Sequence, residues 1–285
     1  MTRLDVALAT CHTLPEDDPD ASPLLAALAA AGLSARSLAW DDPDAPFADA
    51  RFILLRSTWN YVHHLDAFLT WVDGLGERVV NPAAIVRWNH HKRYLADLAA
   101  HGVPVIPTEY VARASGRRVA DVMAARGWSH AVAKPAVSAG SFETRALTEA
   151  TARAEAAWFD GVLVAREMMV QPYVRSVEAY GERSVVWIDG AVTHSIRKSP
   201  RLAGQSEHVS EAVPVADDER TLALSAVRAA GEITGAMPTY ARVDMVRDAG
   251  GALQVMELEL IEPSLFFVQG PAACARLAAA FARRS

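Results

Sequence analysis

At 285 residues, 51% of them hydrophobic and 22% charged, the chain has an ordinary globular composition and room for about two domains. A net charge of −6 without a basic stripe excludes a general nucleic-acid binder, and no apolar run reaches the roughly 18 residues of a membrane-spanning helix. Cys11 and Cys274 lie far apart without metal-ligand spacing and MTRLDVALAT turns polar too soon for a signal peptide, so the expected setting is a reducing cytoplasm with no disulfides and no nucleic-acid or membrane partner.

Residues 4–9 (LDVALA) read as a buried strand. Ser22-Pro23 reads as a helix entry, a hydroxyl cap followed by proline, and Gly32 as the helix end. SARSLAW and RFILLR are the next strands. A helix over 64–73 and a strand at 78–80 complete an alternation that implies a mostly parallel sheet. Residues 1–85 are thus expected as a small open α/β domain. Asn89 reads as the cap of a helix ended by Gly102 and Pro104. HAVAKPAV reads as a strand, SAGS as a small-residue turn, 149–157 as a helix and VLVAREMMVQPYV as a strand running into an extended segment. ERSVVWIDGAVTHSIRK forms a hairpin around Asp189-Gly190. A helix at 217–236, a hairpin turning at DAGG and a closing helix, CARLAAAFARR, follow.

The last strand, in MELELIEPSLF, carries the chemistry. Side chains alternate along a strand, so Met256, Leu258 and Leu260 share one face and Glu257 and Glu259 the other. Two carboxylates about 7 Å apart repel by about 2 kcal/mol at an effective dielectric of about 20. If Asp248 and Gly251 flank the turn, Arg242 lies opposite Glu257 with Asp244 on the diagonal; a bulge at the glycines would break that register. Three carboxylates beside an arginine suit Mg²⁺, a hard ion that leaves positions for phosphate oxygens. A solvated strand face is the alternative. Lys134, before the turn Ser138-Ala139-Gly140-Ser141, and Lys92, in the first turn of the helix capped by Asn89, could meet phosphates, although a lone lysine is more often a surface residue.

In this order, Lys92 before GVPVIPT, then AKP, MVQPYV, GERSVVWIDG and an R-x-D strand beside an E-x-E strand, the chain resembles the ATP-grasp superfamily over roughly residues 86–285. That resemblance implies α/β plus α+β architecture: an N-terminal domain (1–85), a central subdomain (86–168) and a C-terminal subdomain (169–285), with nucleotide between the last two. It implies ATP and Mg²⁺ as cofactors. Lys92 and Lys134 match the phosphate-binding lysines, and Ser138, Gly140 and Ser141 the mobile loop. Gln171, Pro172, Tyr173 and Val174 match the adenine-reading segment, and Glu178 or Glu182 the ribose-binding acid. Asp244, Glu257 and Glu259 match the metal ligands, and Arg242, with Lys134, the catalytic cations. The third ligand is commonly asparagine; Glu259 keeps the oxygen and adds charge.

LLRSTWNY, RWNHHKRYLADL and MELELIEPSLF narrow the resemblance to the subgroup containing the D-cycloserine-forming cyclo-ligase, which acts on O-ureido-D-serine. The implied activity is ATP-dependent carboxylate–amine ligation through an acyl phosphate, on a small amino acid-like substrate, with ring closure as the specific expectation and a homodimer compatible with it. Arg56, Ser57, Thr58 and Tyr61, at the carboxyl end of a strand, and His194, Arg197 and Lys198 are the candidate substrate residues. An intermolecular ligase, a small-molecule kinase and a non-catalytic ATP-binding module are the rivals. His63-His64 and His90-His91 lack a third ligand and do not read as zinc sites.

Overall fold

The computed structural model describes residues 4–199 and 208–284, which build three four-stranded sheets. In the first, β1 (Leu4–Thr10), β2 (Ala35–Ala39), β3 (Ala50–Ser57) and β4 (Val79–Val80) lie in the order β2-β1-β3-β4, with every pairing parallel. Val6 through Ala9 are all buried, as a strand covered on both faces requires. Leu24 and Leu28 of α1 (Ala21–Ala30) pack on Val6 and Leu8, while Phe68 and Val72 of α2 (Leu65–Leu75) pack on Ala7 and Ala9. Ser22 does not cap α1. The cap position falls to Asp20, whose carboxylate instead accepts the N–H groups of Leu265 (2.6 Å), Phe266 (3.1 Å) and Phe267 (2.7 Å).

α3 (Ala83–Asn89) and α4 (Tyr94–Ala100) lead to the second sheet. Asn89 ends α3 rather than capping the next helix, because its amide is taken by the last strand, donating to the Leu258 carbonyl and accepting the Leu260 N–H. The second sheet contains β5 (Glu109–Val111), β6 (His130–Pro135), β7 (Arg145–Thr148) and β8 (Met168–Pro172) in the antiparallel order β5-β8-β6-β7, with α5 (Val119–Arg126), α6 (Glu149–Ala154) and α7 (Ala156–Ala165) against it. α7 runs to Ala165, so the first residues of the run expected as a strand are helical. Phe159 and Leu163 lie one turn apart on its buried face, and that packing overrides the strand preference of the valines.

The third sheet holds β9 (Glu182–Ile188), β10 (Ala191–Lys198), β11 (Tyr240–Arg247) and β12 (Leu253–Glu259) in the antiparallel order β10-β9-β11-β12. Asp189 and Gly190 turn the first hairpin with φ of 45° and 89°, the left-handed pair that matches strand twist. Leu222, Ala226 and Val227 of α8 (Asp217–Thr234) pack under Val243, Met245 and Leu258. The opposite face carries Arg242, Asp244, Glu257 and Glu259.

The register of this face differs from the expected one. Arg242 pairs with Glu259, and Asp244 with Glu257. The turn is closed by Asp248 N–H to Ala252 carbonyl, one residue longer than expected, and a bulge lies between Asp244 and Met245. Each irregularity alone would flip the face; together they restore it two residues along. The bulge also turns Met256 away from Leu258 and Leu260, toward Tyr173 and Val174. α9 (Pro271–Ala282) packs back on α1, with Leu277 and Phe281 in one cluster with Leu24 and Leu28.

Candidate active site

A cavity of about 520 Å³ is lined by the second and third sheets and by Trp59, Tyr61, Val62 and His63, which follow β3. Small-molecule sites have this size. On its floor Asp244 accepts hydrogen bonds from Ser184 Oγ (2.6 Å), Arg242 Nε (2.9 Å) and Nη2 (2.8 Å) and Lys198 Nζ (2.9 Å). Burial alone would raise its carboxyl, but Arg242 and Lys198 hold it well below the usual range. Arg242 also bonds Glu259, and Lys198 bonds Glu182. Burial pushes Glu182 up to about 7 despite Lys198, with Asp244 adding to the rise.

Lys92 and Lys134 converge on Glu257 from different elements. Lys92, in the turn between α3 and α4, lies 3.1 Å from one carboxylate oxygen, and Lys134, on β6, bonds the other. Both lysines are buried, and together they overcome the desolvation of Glu257 and keep its carboxyl well below the ordinary value. Lys92 is placed by its own N–H, which donates to the Ala136 carbonyl, rather than by a helix N-terminus.

The expected metal ligands Asp244, Glu257 and Glu259 therefore share one face and one cavity. Among the described residues no three carboxylate, imidazole or thiol side chains are drawn together closely enough to hold a metal ion as they stand; cations engage each of the three. Their chemistry nevertheless fits Mg²⁺, since all are hard oxygen donors on paired strands.

The far end of the cavity is apolar. Tyr173, Val174 and Met256 pack on Ile106, Val177 and Val246. Gln171 and Pro172 also line the cavity, and Tyr173 stacks on His130 at 4.0 Å. Glu178 lies outside the lining but accepts from Tyr173 Oη at 3.1 Å. Ser138, Gly140 and Ser141 line the roof. Gly140, Ser141 and Glu143 all have positive φ, held in part by the Trp158–Glu143 hydrogen bond, and Phe142 meets His63 edge-on at 5.1 Å.

The substrate expectations divide. Tyr61 and Lys198 line the cavity; Arg56, Ser57, Thr58, His194 and Arg197 do not. The carboxyl end of β3 does face the cleft, but residues 263–267 pack over it. Arg56 is 1% exposed and donates to the Pro263 carbonyl (2.7 Å), Asp20 (3.1 Å) and Asp18. Ser57 bonds Thr10, and Thr58 is buried. His194 shares a face with Lys198 but lies four residues along the strand, against Gly270. Arg197 points the other way, onto the carbonyls of Ala179 and Tyr180.

Sequence reasoning left Glu262 without a role. It lines the cavity, as do Ser264, Trp59 and Tyr61, and burial with the charge of Glu259 pushes its carboxyl up to about 8. The signal was present as the third glutamate of MELELIEPSLF, but it falls beyond the strand, where alternation no longer assigns a face.

Residues 6–81 match the family model of the N-terminal domain of D-cycloserine synthetase DcsG. The chain is 34% identical, over 98% of both sequences, to the cycloserine biosynthesis protein DcsG of Streptomyces lavendulae. The crystal structure of D-cycloserine synthetase DcsG matches with a TM-score of 0.90 and 33% identity, covering 98% of this chain and 99% of that one. The ATP-grasp ligase PsnB, complexed with its minimal precursor, matches with a TM-score of 0.69 at 16% identity, covering 99% of this chain and 100% of that one, a likeness of fold.

Proposed function

We propose, from the premise that this chain belongs to the DcsG family of ATP-grasp ligases, that it closes a ring on a small amino acid-like molecule of the O-ureido-D-serine type, forming a C–N bond and releasing ADP and phosphate. The observation that carries this reading is the meeting of Lys92 and Lys134 on Glu257, beside Arg242 and Asp244, in a cavity with an apolar slot at one end.

In this reading the adenine occupies the slot and is read by the backbone of Gln171 to Val174, with Glu178 at the ribose because it adjoins Tyr173. Glu182 stays with Lys198 at the phosphate end. The two lysines exchange Glu257 for phosphate oxygens. Asp244, Glu257 and Glu259 would hold Mg²⁺, which when bound neutralises phosphate charge. A substrate carboxylate oxygen attacks the γ-phosphorus, the bond to the bridging oxygen breaks, and ADP leaves. Arg242 faces the transferred phosphoryl group and stabilises its charge. The substrate nitrogen then attacks the acyl carbon, phosphate departs and the nitrogen loses a proton. The 138–142 loop excludes water from the acyl phosphate. Holding both reacting groups in one molecule replaces a bimolecular step. The division into three parts belongs to this proposal; the first sheet ends at β4, before residue 85, whereas β8 (Met168–Pro172) stays in the second sheet, which favours a second boundary after Pro172 rather than at 168.

The test is ATP-dependent phosphate release with O-ureido-D-serine and with free amino acids, singly and in pairs, with products identified by mass. Release with the ureido compound alone and a cyclic product is expected. A requirement for two substrates would make the enzyme an intermolecular ligase, and a phosphorylated product without free phosphate would make it a kinase.

A further inference from the structure

We propose that Glu262 receives the ammonium group of the amino acid substrate, at the end of the cavity lined by Trp59, Tyr61 and Ser264. The proposal rests on the ligase reading above and specifies its substrate: a molecule that presents a free ammonium to this carboxylate.

Three observations carry it. The first is charge pairing. Glu182, Asp244, Glu257 and Glu259 each meet a lysine or arginine. Glu262 lines the same cavity but, among the described residues, forms no ion pair with a lysine or arginine: its own N–H is its hydrogen-bond donor, and Lys92 and Arg242 act on it only as more distant charges. A carboxylate half-withdrawn from water among other carboxylates is a costly group to keep unless a ligand completes it; the high pKa of its carboxyl is the same fact seen through proton affinity. The second is rigidity. The backbone around it is fixed on both sides. Tyr240 Oη donates to the Ile261 carbonyl at 2.7 Å, Arg56 to the Pro263 carbonyl at 2.7 Å and Arg242 to the Ser264 carbonyl at 3.2 Å. Asp20 holds the next three N–H groups. A carboxylate without an ion-pair partner on so constrained a backbone is preorganised for a cationic ligand. The third is the aromatic lining. Trp59 and Tyr61 line the cavity, and Glu262 is the carboxylate whose charge Tyr61 feels most after its own burial. Aromatic rings beside a carboxylate suit an organic cation.

The position also fits the reaction. Ser264 accepts from Arg242 through its carbonyl, so the ammonium site adjoins the arginine assigned to the phosphoryl group. An α-amino acid held by its ammonium at Glu262 turns its carboxylate toward Arg242. The same carboxylate would disfavour acids that lack an amine, because it would stay unpaired beside them.

The experiment measures binding of O-ureido-D-serine and of its des-amino analogue, 3-(ureidooxy)propanoic acid, to the protein loaded with Mg²⁺ and a non-hydrolysable ATP analogue. The wild type should prefer the amino compound by at least about tenfold, the worth of one charge-assisted hydrogen bond. Glu262→Gln should abolish that preference while keeping its affinity for the ATP analogue and for the des-amino compound, and Glu262→Asp should restore part of it. A preference that survives in Glu262→Gln overturns the proposal. If the wild type binds neither ureido compound, that substrate is wrong, and D-alanine against propanoate decides instead. A wild-type preference for the amine that is lost in Glu262→Gln then sustains the role of Glu262, and no preference in either pair overturns it.

Discussion

The Arg56 guanidinium lies 3.1 Å from the Asp20 carboxylate, and neither side chain is more than 1% exposed. Each also grips the segment after β12, Arg56 at Pro263 and Asp20 at residues 265–267. The pair is a clamp between the first sheet and the segment that carries Glu262 and Ser264 into the cavity. Removing one partner of a buried pair leaves the other charge uncompensated. Arg56→Met should therefore cost about 3–5 kcal/mol of stability, measured by denaturant unfolding, and should weaken amino acid binding more than nucleotide binding.

The meeting of two lysines on Glu257 predicts a shared defect. Lys92→Met or Lys134→Met should raise the KM for ATP or lower kcat by at least about tenfold, or roughly 1.4 kcal/mol. Glu257→Gln should abolish turnover and weaken Mg²⁺-dependent ATP binding with the fold intact by circular dichroism. Full activity in Glu257→Gln would remove it from the metal site.

Phe142 joins the roof loop to His63, on the segment after β3. Phe142→Ala should loosen that closure and admit water to the acyl phosphate. The expected result is phosphate release in excess of ligated product, quantified in one reaction by a phosphate assay and by mass; a ratio held at one would mean that the loop seals without this contact.

Stability should depend on pH through Glu262. Its carboxyl rises from the ordinary 4.5 to about 8 in the folded protein. Between those values the folded state holds more protons than the unfolded state, so this group's contribution is fully present below about 4.5 and declines as pH rises through 8. Glu182, raised to about 7, acts in the same direction. His90, His91 and His194, whose pKa burial lowers, act in the opposite direction, so the effect is read as a difference: from pH 5 to pH 8 the wild type should lose thermal stability relative to Glu262→Gln. An unchanged slope in that variant would assign the dependence elsewhere.

Much of the fold was legible because its elements are local. The parallel alternation of the first sheet follows from apolar runs and turn residues, and the Asp189-Gly190 turn from a dipeptide suited to positive φ. The face shared by Arg242, Asp244, Glu257 and Glu259 was readable by parity, although its register was not. The longer turn and the bulge at Met256 depend on what the strand packs against, and a sequence window does not contain that. Arg56 misled for a related reason. A strand end marks where a cleft opens, but only the tertiary fold decides that residues 263–267, far away in sequence, lie across it. Asn89 also read as a cap, and Ser22 read as the cap of a helix whose cap position falls to Asp20; distant backbone engages the side chains of both Asn89 and Asp20 instead.

The packing of α9 on α1 has a consequence for how the molecule is made. β1 and α1 are synthesised long before α9, yet Leu24 and Leu28 share a cluster with its Leu277 and Phe281. The first sheet can pair its strands as soon as β4 emerges, but one of its faces stays uncovered until α9 has been translated. Expressed alone, residues 6–81 would present that bare apolar face to solvent and should associate or aggregate, so this first stretch is a poor candidate for an independently folding unit.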